Sequence, residues 1–179
     1  MKKLFVLCVA LTALLVVAGC QQQPATFTST LELTDYQKTT LDEASSIIGE
    51  TVPVPTYLPK VYEVQEVYIK DTKDSAQWIV VLLISDEEIE WENNEFQCKM
   101  RMTIQWDSAG GIKSVRPEPV TIGESKGQIF RRADHNDLMW NIFRKPSGAL
   151  RQVVHEVRLS ASKSIPKREL VKVAESVQW

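Results

Sequence analysis

The sequence predicts an α+β domain: an antiparallel β-sheet with an N-terminal helix and a C-terminal helix packed on it. Three observations predict it. Phe96, Cys98, Met100, Met102, Ile104 and Trp106 alternate with Gln97, Lys99, Arg101, Thr103 and Gln105, which is the period-two pattern of a half-buried strand. Trp78 to Ile84 is an unbroken apolar run, as expected of a central strand buried on both faces. Near the two ends, Tyr36, Thr40, Leu41, Ala44, Ile47 and Ile48, and then Leu170, Val173, Ala174 and Val177, recur at helical spacing.

Taken in order, the chain begins with Lys2 and Lys3, followed by an apolar stretch from Leu4 to Ala18 broken only by Thr12. That run is shorter than the roughly 18–20 residues that span a bilayer, and small residues close it, so it reads as a cleaved signal peptide. Val17-Ala18-Gly19-Cys20 resembles the lipobox of bacterial lipoproteins. The resemblance implies two or three acyl chains on Cys20, and no cofactor is expected. It places the protein at the cell membrane, on the extracytoplasmic side, as a lipid-anchored rather than spanning chain. Each buried methylene contributes about 0.8 kcal/mol, so two chains hold a protein stably where one holds it marginally.

Loss of residues 1–19 leaves 160 residues, with 19 bases against 23 acids. This is the usual size of one domain, and its acidic balance gives no case for nucleic-acid binding. Cys98 is then the one cysteine not taken by the signal or the lipid, so no intramolecular disulfide is expected. The polar segment Gln21 to Leu31 lacks periodicity and reads as a tether. The expected division is a signal peptide at 1–19, a lipidated cysteine with flexible tether at 20–33, and a single domain at 34–179.

Thr34-Asp35-Tyr36-Gln37 fits a capping box, and Gly49 stands where a helix-ending glycine belongs, so a helix is expected from Asp35 to Ile48. Pro53, Pro55 and Pro59 make the next stretch an extended connector. Strands are expected at Val61–Lys70, Trp78–Ile84, Phe96–Trp106, Val120–Ile122, Gln128–Arg132, Leu138–Arg144 and Leu150–Leu159. Turns are expected at Asp71–Asp74, Asp107–Gly111, Asp134–Asp137 and Pro146–Gly148. Pro166 opens the C-terminal helix. Consecutive strands with tight turns and no βαβ unit argue for an antiparallel sheet.

Glu43-Ala44, Ile48-Gly49, Pro55-Thr56-Tyr57-Leu58-Pro59, Leu138-Met139-Trp140 and the run Pro166 to Val177 resemble an extracytoplasmic bacterial domain of unknown function. That domain recurs in lipoproteins and in membrane proteins related to anti-sigma factors. The resemblance covers about residues 40–178 and implies an antiparallel sheet with a C-terminal helix. It brings no catalytic residues. Val61, before Tyr62, stands where the family usually has glycine.

Several stretches imitate catalytic motifs. Gly123-Glu124-Ser125-Lys126-Gly127 has the letters of a nucleophile elbow but lacks the following helix, and a hairpin turn explains its glycines. Ser160-Ala161-Ser162-Lys163 and Ser164-Ile165-Pro166-Lys167 fit Ser-x-x-Lys without its companion motifs. His155 shares an apolar strand face with Val153, Val157 and Leu159 and reads as a core histidine. His135, among Asp134, Asn136 and Asp137, reads as part of an Asx-rich turn rather than a metal ligand. The acids Asp86, Glu87, Glu88, Glu90, Glu92 and Glu95 lack the glycine-punctuated loop of an EF-hand and read as solvated.

Charge is unevenly spread: residues 20–98 hold 15 acids and 4 bases, residues 99–179 hold 8 acids and 15 bases. Either pairing between the halves cancels this, or Arg131, Arg132, Arg144, Lys145, Arg151 and Arg158 form a basic face for a lipid headgroup, a wall polymer or an envelope protein. The leading expectation is a non-enzymatic binding or sensing domain at the membrane. The alternative is a carrier of an apolar ligand or lipid, with the strand Trp78–Ile84 and Met100, Met102, Met139 and Trp140 around a cavity under a helix. No nucleophile, base and orienting group can be assembled for an enzyme.

Overall fold

Thr40, not Thr34, starts the first helix. Its side-chain oxygen accepts from the Glu43 backbone N–H at 3.2 Å, and the Glu43 carboxylate accepts from the Thr40 N–H at 3.2 Å, so the capping box lies six residues beyond the expected one. The computed structural model that shows this describes residues 26–59, 61–72, 77–106, 117–144 and 153–178. The signal peptide, Cys20, Lys145, Arg151, the Asp107–Gly111 and Pro146–Gly148 turns and the second half of the Asp71–Asp74 turn lie outside the described residues. So do the first three residues of the strand expected at Leu150.

Among the described residues the elements are β1 (Phe27–Thr30), a 3-10 turn (Leu33–Asp35), β2 (Gln37–Thr39), α1 (Leu41–Ile48), β3 (Val54–Pro55), β4 (Glu63–Thr72), β5 (Gln77–Ser85), β6 (Trp91–Glu92), β7 (Glu95–Cys98), β8 (Met100–Gln105), β9 (Glu118–Ile122), β10 (Ser125–Arg131), β11 (His135–Arg144), β12 (Val153–Ser162), α2 (Lys167–Glu175) and β13 (Val177–Gln178). An antiparallel eight-stranded sheet, in the order β2-β4-β5-β8-β12-β11-β10-β9, forms the body. A three-stranded sheet, β1-β7-β6, and a β13-β3 pair complete the strands.

The fold is therefore mainly β, and the α+β expectation is corrected. Its helices span only eight and nine residues. The residues expected to begin the first helix instead form the 3-10 turn and β2, whose Gln37, Lys38 and Thr39 pair with Ile69, Tyr68 and Val67 of β4. Thr39 and Thr40 are β-branched, so extended backbone suits them, and Thr40 sits at φ −106, ψ 167. At the other end of α1, Gly49 takes φ +79, the left-handed conformation expected of it. Val177, expected on the C-terminal helix, has left it and pairs with Pro55. Phe27–Thr30, expected in the tether, pairs with Cys98–Glu95 as a sheet strand.

β5 is the central strand its apolar run predicts, and it separates two cores. Val80, Leu82 and Ile84 face the α1 and α2 side, where Ala44, Leu170, Val173 and Ala174 close over the sheet. Val81 and Leu83 face the three-stranded sheet and pack with Phe27, Ile89, Phe96 and Cys98. The long alternating stretch departs from expectation, because it is not one strand on one core. It bends at Lys99, so Phe96 and Cys98 serve the second core while Met100, Met102 and Ile104 serve the first. Lys99 at the bend is buried, with its ammonium 3.7 Å from Asp86. Burial pushes the Cys98 thiol up to about 12, against a smaller opposing effect of Arg101, so it is protonated and inert at neutral pH.

Glu66 of β4 ties the two sheets. Burial alone would raise its pKa, but the Lys38 ammonium, the Tyr68 hydroxyl and the Trp91 indole N–H all donate to it and hold it below the usual carboxylate value. Gly127 of β10 is a close approach rather than a turn. A Cβ there would lie 2.6 Å from Ile122 Cδ1 and 3.0 Å from the Met139 carbonyl oxygen.

Candidate functional site

Beyond β5, the face of the large sheet opposite the helices becomes polar. Register sets its rows. Arg101 of β8 stands opposite Ser160 of β12, Ser160 opposite Asp137 of β11, and Asp137 opposite Phe130 of β10. In the next row Thr103 stands opposite Arg158, and Arg158 opposite Met139. These side chains share a face because strand residues two apart point the same way.

Asp137 is the hub of the first row. It is buried at 4% exposure, and the fully buried Ser160 donates its hydroxyl to Oδ1 at 2.6 Å. Arg132 Nε donates to Oδ2 at 3.2 Å, and His135 Nε2 lies 3.4 Å from Oδ1. His135 Nδ1 is 2.7 Å from Asp134, whose pKa is lowered by that contact. The Arg132 guanidinium also rests over the Phe130 ring, 5.8 Å from its centroid. A serine, an aspartate and a histidine thus meet, but the serine proton goes to the carboxylate and Ser160 is closed to substrate. The arrangement holds structure rather than activating a nucleophile.

β1 runs along the border of this face. Phe27 stacks on the His135 ring at 5.2 Å between centroids, and Arg101 Nη1 donates to Ser29 Oγ. Burial lowers the Arg101 pKa and the Arg158 charge adds to that, opposed by Cys98, Asp137 and Tyr36.

The basic residues singled out in the sequence divide between two faces. Arg131 pairs with Glu118 at 2.9 Å, and Glu118 also meets Lys167 of α2. Arg144 pairs with Glu50, just past α1, at 3.2 Å. Both belong to the helix side. Arg132 and Arg158 belong to the polar face. Sequence reasoning missed Arg101, Asp137 and Ser160 as members of one cluster. Adjacent residues on a strand point to opposite faces, so Arg131 and Arg132 could have been separated by parity alone.

Elsewhere, the acids read as a solvated loop line an open groove of about 650 Å³, with Glu87, Glu88, Glu90, Glu92 and Glu95 around Trp91 and the Thr26–Thr28 side of β1. Among the described residues no group of three His, Cys, Asp or Glu side chains is placed to hold a metal ion. His155 is fully buried, edge-on to Trp106 at 5.4 Å. Ile122 and Ser125 pair across Gly123 and Glu124, so the elbow-like letters form a hairpin turn. Met100, Met102 and Trp140, expected to line a carrier cavity, are packed in the first core. Among the described residues no helix is long and apolar enough to cross a membrane.

No protein-family model, curated protein or solved structure matches this chain.

Proposed function

We propose that this protein is a membrane-anchored lipoprotein, acylated on Cys20, whose β-rich extracytoplasmic domain binds an envelope partner through the polar, arginine-bearing face of its sheet. The observation that carries the binding reading is Arg101 and Arg158, diagonal neighbours on adjacent strands, neither of which makes an ion pair among the described residues. The lipobox letters before Cys20 carry the anchor, and the resemblance over residues 40–178 agrees with an envelope setting.

Five residues separate Cys20 from Thr26, where β1 is about to begin. Fully extended at about 3.5 Å per residue, they reach only about 20 Å. β1 borders the arginine face, so a lipid on Cys20 keeps that face close to the membrane surface. The domain binds there without chemistry of its own.

Cys20→Ser tests the anchor. The variant is expected to lose fatty-acid labelling completely and to leave the acylated membrane fraction, since lipid attachment needs the thiol. Fatty-acid incorporation equal to that of the wild type would contradict the reading.

A further inference from the structure

Arg101 and Arg158 lie in neighbouring rows of adjacent strands on one face. Diagonal neighbours in a sheet are roughly 7–8 Å apart, well within the reach of two long side chains. Among the described residues no carboxylate lies within 4.0 Å of either guanidinium. The acid next in the row, Asp137, is already engaged by Arg132 and Ser160, and Glu156, two residues from Arg158 on the same face of β12, makes no ion pair with either arginine among the described residues. Arg101 has spent one nitrogen on Ser29, while its Nε is buried with no hydrogen-bond partner. A partly buried guanidinium whose Nε is closed off without an acceptor is costly, and here a second positive charge stands beside it.

We propose that Arg101 and Arg158 form a binding site for a phosphomonoester group, with the partly buried Thr103 hydroxyl, opposite Arg158 in its row, as a neutral donor. The chemistry of the donors selects this ligand. A planar carboxylate satisfies one guanidinium fork, whereas a tetrahedral phosphate offers oxygens to two forks arriving from different strands. At neutral pH a phosphomonoester carries about −1.5 to −2 charge, which balances both arginines. The inference rests on the reading of this face as the binding surface. It is independent of the lipid on Cys20.

Calorimetric titration of the full chain in neutral detergent micelles tests it. One arm uses inorganic phosphate, and the other uses micelles doped with phosphatidic acid. Saturable binding of inorganic phosphate, weakened about 10-fold or more in Arg101→Gln and in Arg158→Gln, is the expected result. Arg158→Lys should retain part of the affinity, and Lys172→Gln, on the helix side, all of it. Because the Arg101 Nε is buried, Arg158, whose side chain has no such buried atom, supplies the decisive variant if Arg101→Gln fails to fold. Binding of doped micelles alone, with the same loss in Arg158→Gln, supports the site and assigns the phosphate to a lipid headgroup. No saturable binding in either arm, or equal binding by the wild type and Arg158→Gln, overturns the proposal. Membrane retention of the same wild-type chain would leave the anchor standing in that case.

Discussion

Asp137→Ala is expected to destabilise the domain by about 2–4 kcal/mol, read as a lower urea midpoint at unchanged slope. The carboxylate is buried, and three partners on two strands and a turn converge on it. Without it the Ser160 hydroxyl, itself fully buried, has lost its acceptor, which alone costs about 1–3 kcal/mol. Arg132 is 38% exposed and can turn to water, so its loss adds less than that of a fully buried partner. Asp137→Asn should cost less, because an amide oxygen can still accept from Ser160 while only the charge is gone. Equal stability of Asp137→Ala and the wild type would mean that the cluster contributes nothing to the fold.

Leu170→Ala is expected to cost about 2–4 kcal/mol. Leu170 is at 0% exposure, with Val173 and Ala174 beside it on the face of α2 that closes over the sheet. Truncation removes a buried isobutyl group and leaves a cavity that a β-sheet cannot easily collapse into. Leu170→Met should cost under about 1.5 kcal/mol, since it nearly conserves volume. On α1, Ile47→Ala at 44% exposure should change stability little. A Leu170→Ala effect no larger than that of Ile47→Ala would show that α2 is not docked.

Long periodic stretches were legible in the sequence, and short paired ones were not. The apolar run of β5, the alternation through β7 and β8, Gly49 at a helix end and Pro166 before α2 all follow from local pattern. β1, β2, β3, β6 and β13 span only two to four residues each. Such segments are strands because a partner is present, not because of their own composition. Two capping-box letter patterns lie within ten residues at the first helix, and pairing of Gln37–Thr39 with β4 decides between them. The bend at Lys99 was hidden for the same reason. Alternation continues straight through it, while the core being served changes. In the candidate site, Arg101 sat on the polar side of an alternating strand and so looked solvated. Only the pairing of β8 with β12 shows Arg158 beside it and Asp137 already engaged.

Thermal unfolding of the full chain in rising inorganic phosphate, against chloride at matched ionic strength, tests most directly whether the arginine face holds an uncompensated charge pair. A ligand that binds only the folded state stabilises by about 2.7 kcal/mol at 100 times its Kd, which is about 5–10 °C in Tm for a domain of this size. Phosphate also stabilises proteins generally by exclusion from their surface, and Arg158→Gln reports that part alone. A saturable rise in Tm is expected for the wild type, exceeding the rise in Arg158→Gln by several degrees. Parallel curves for the two proteins would contradict it.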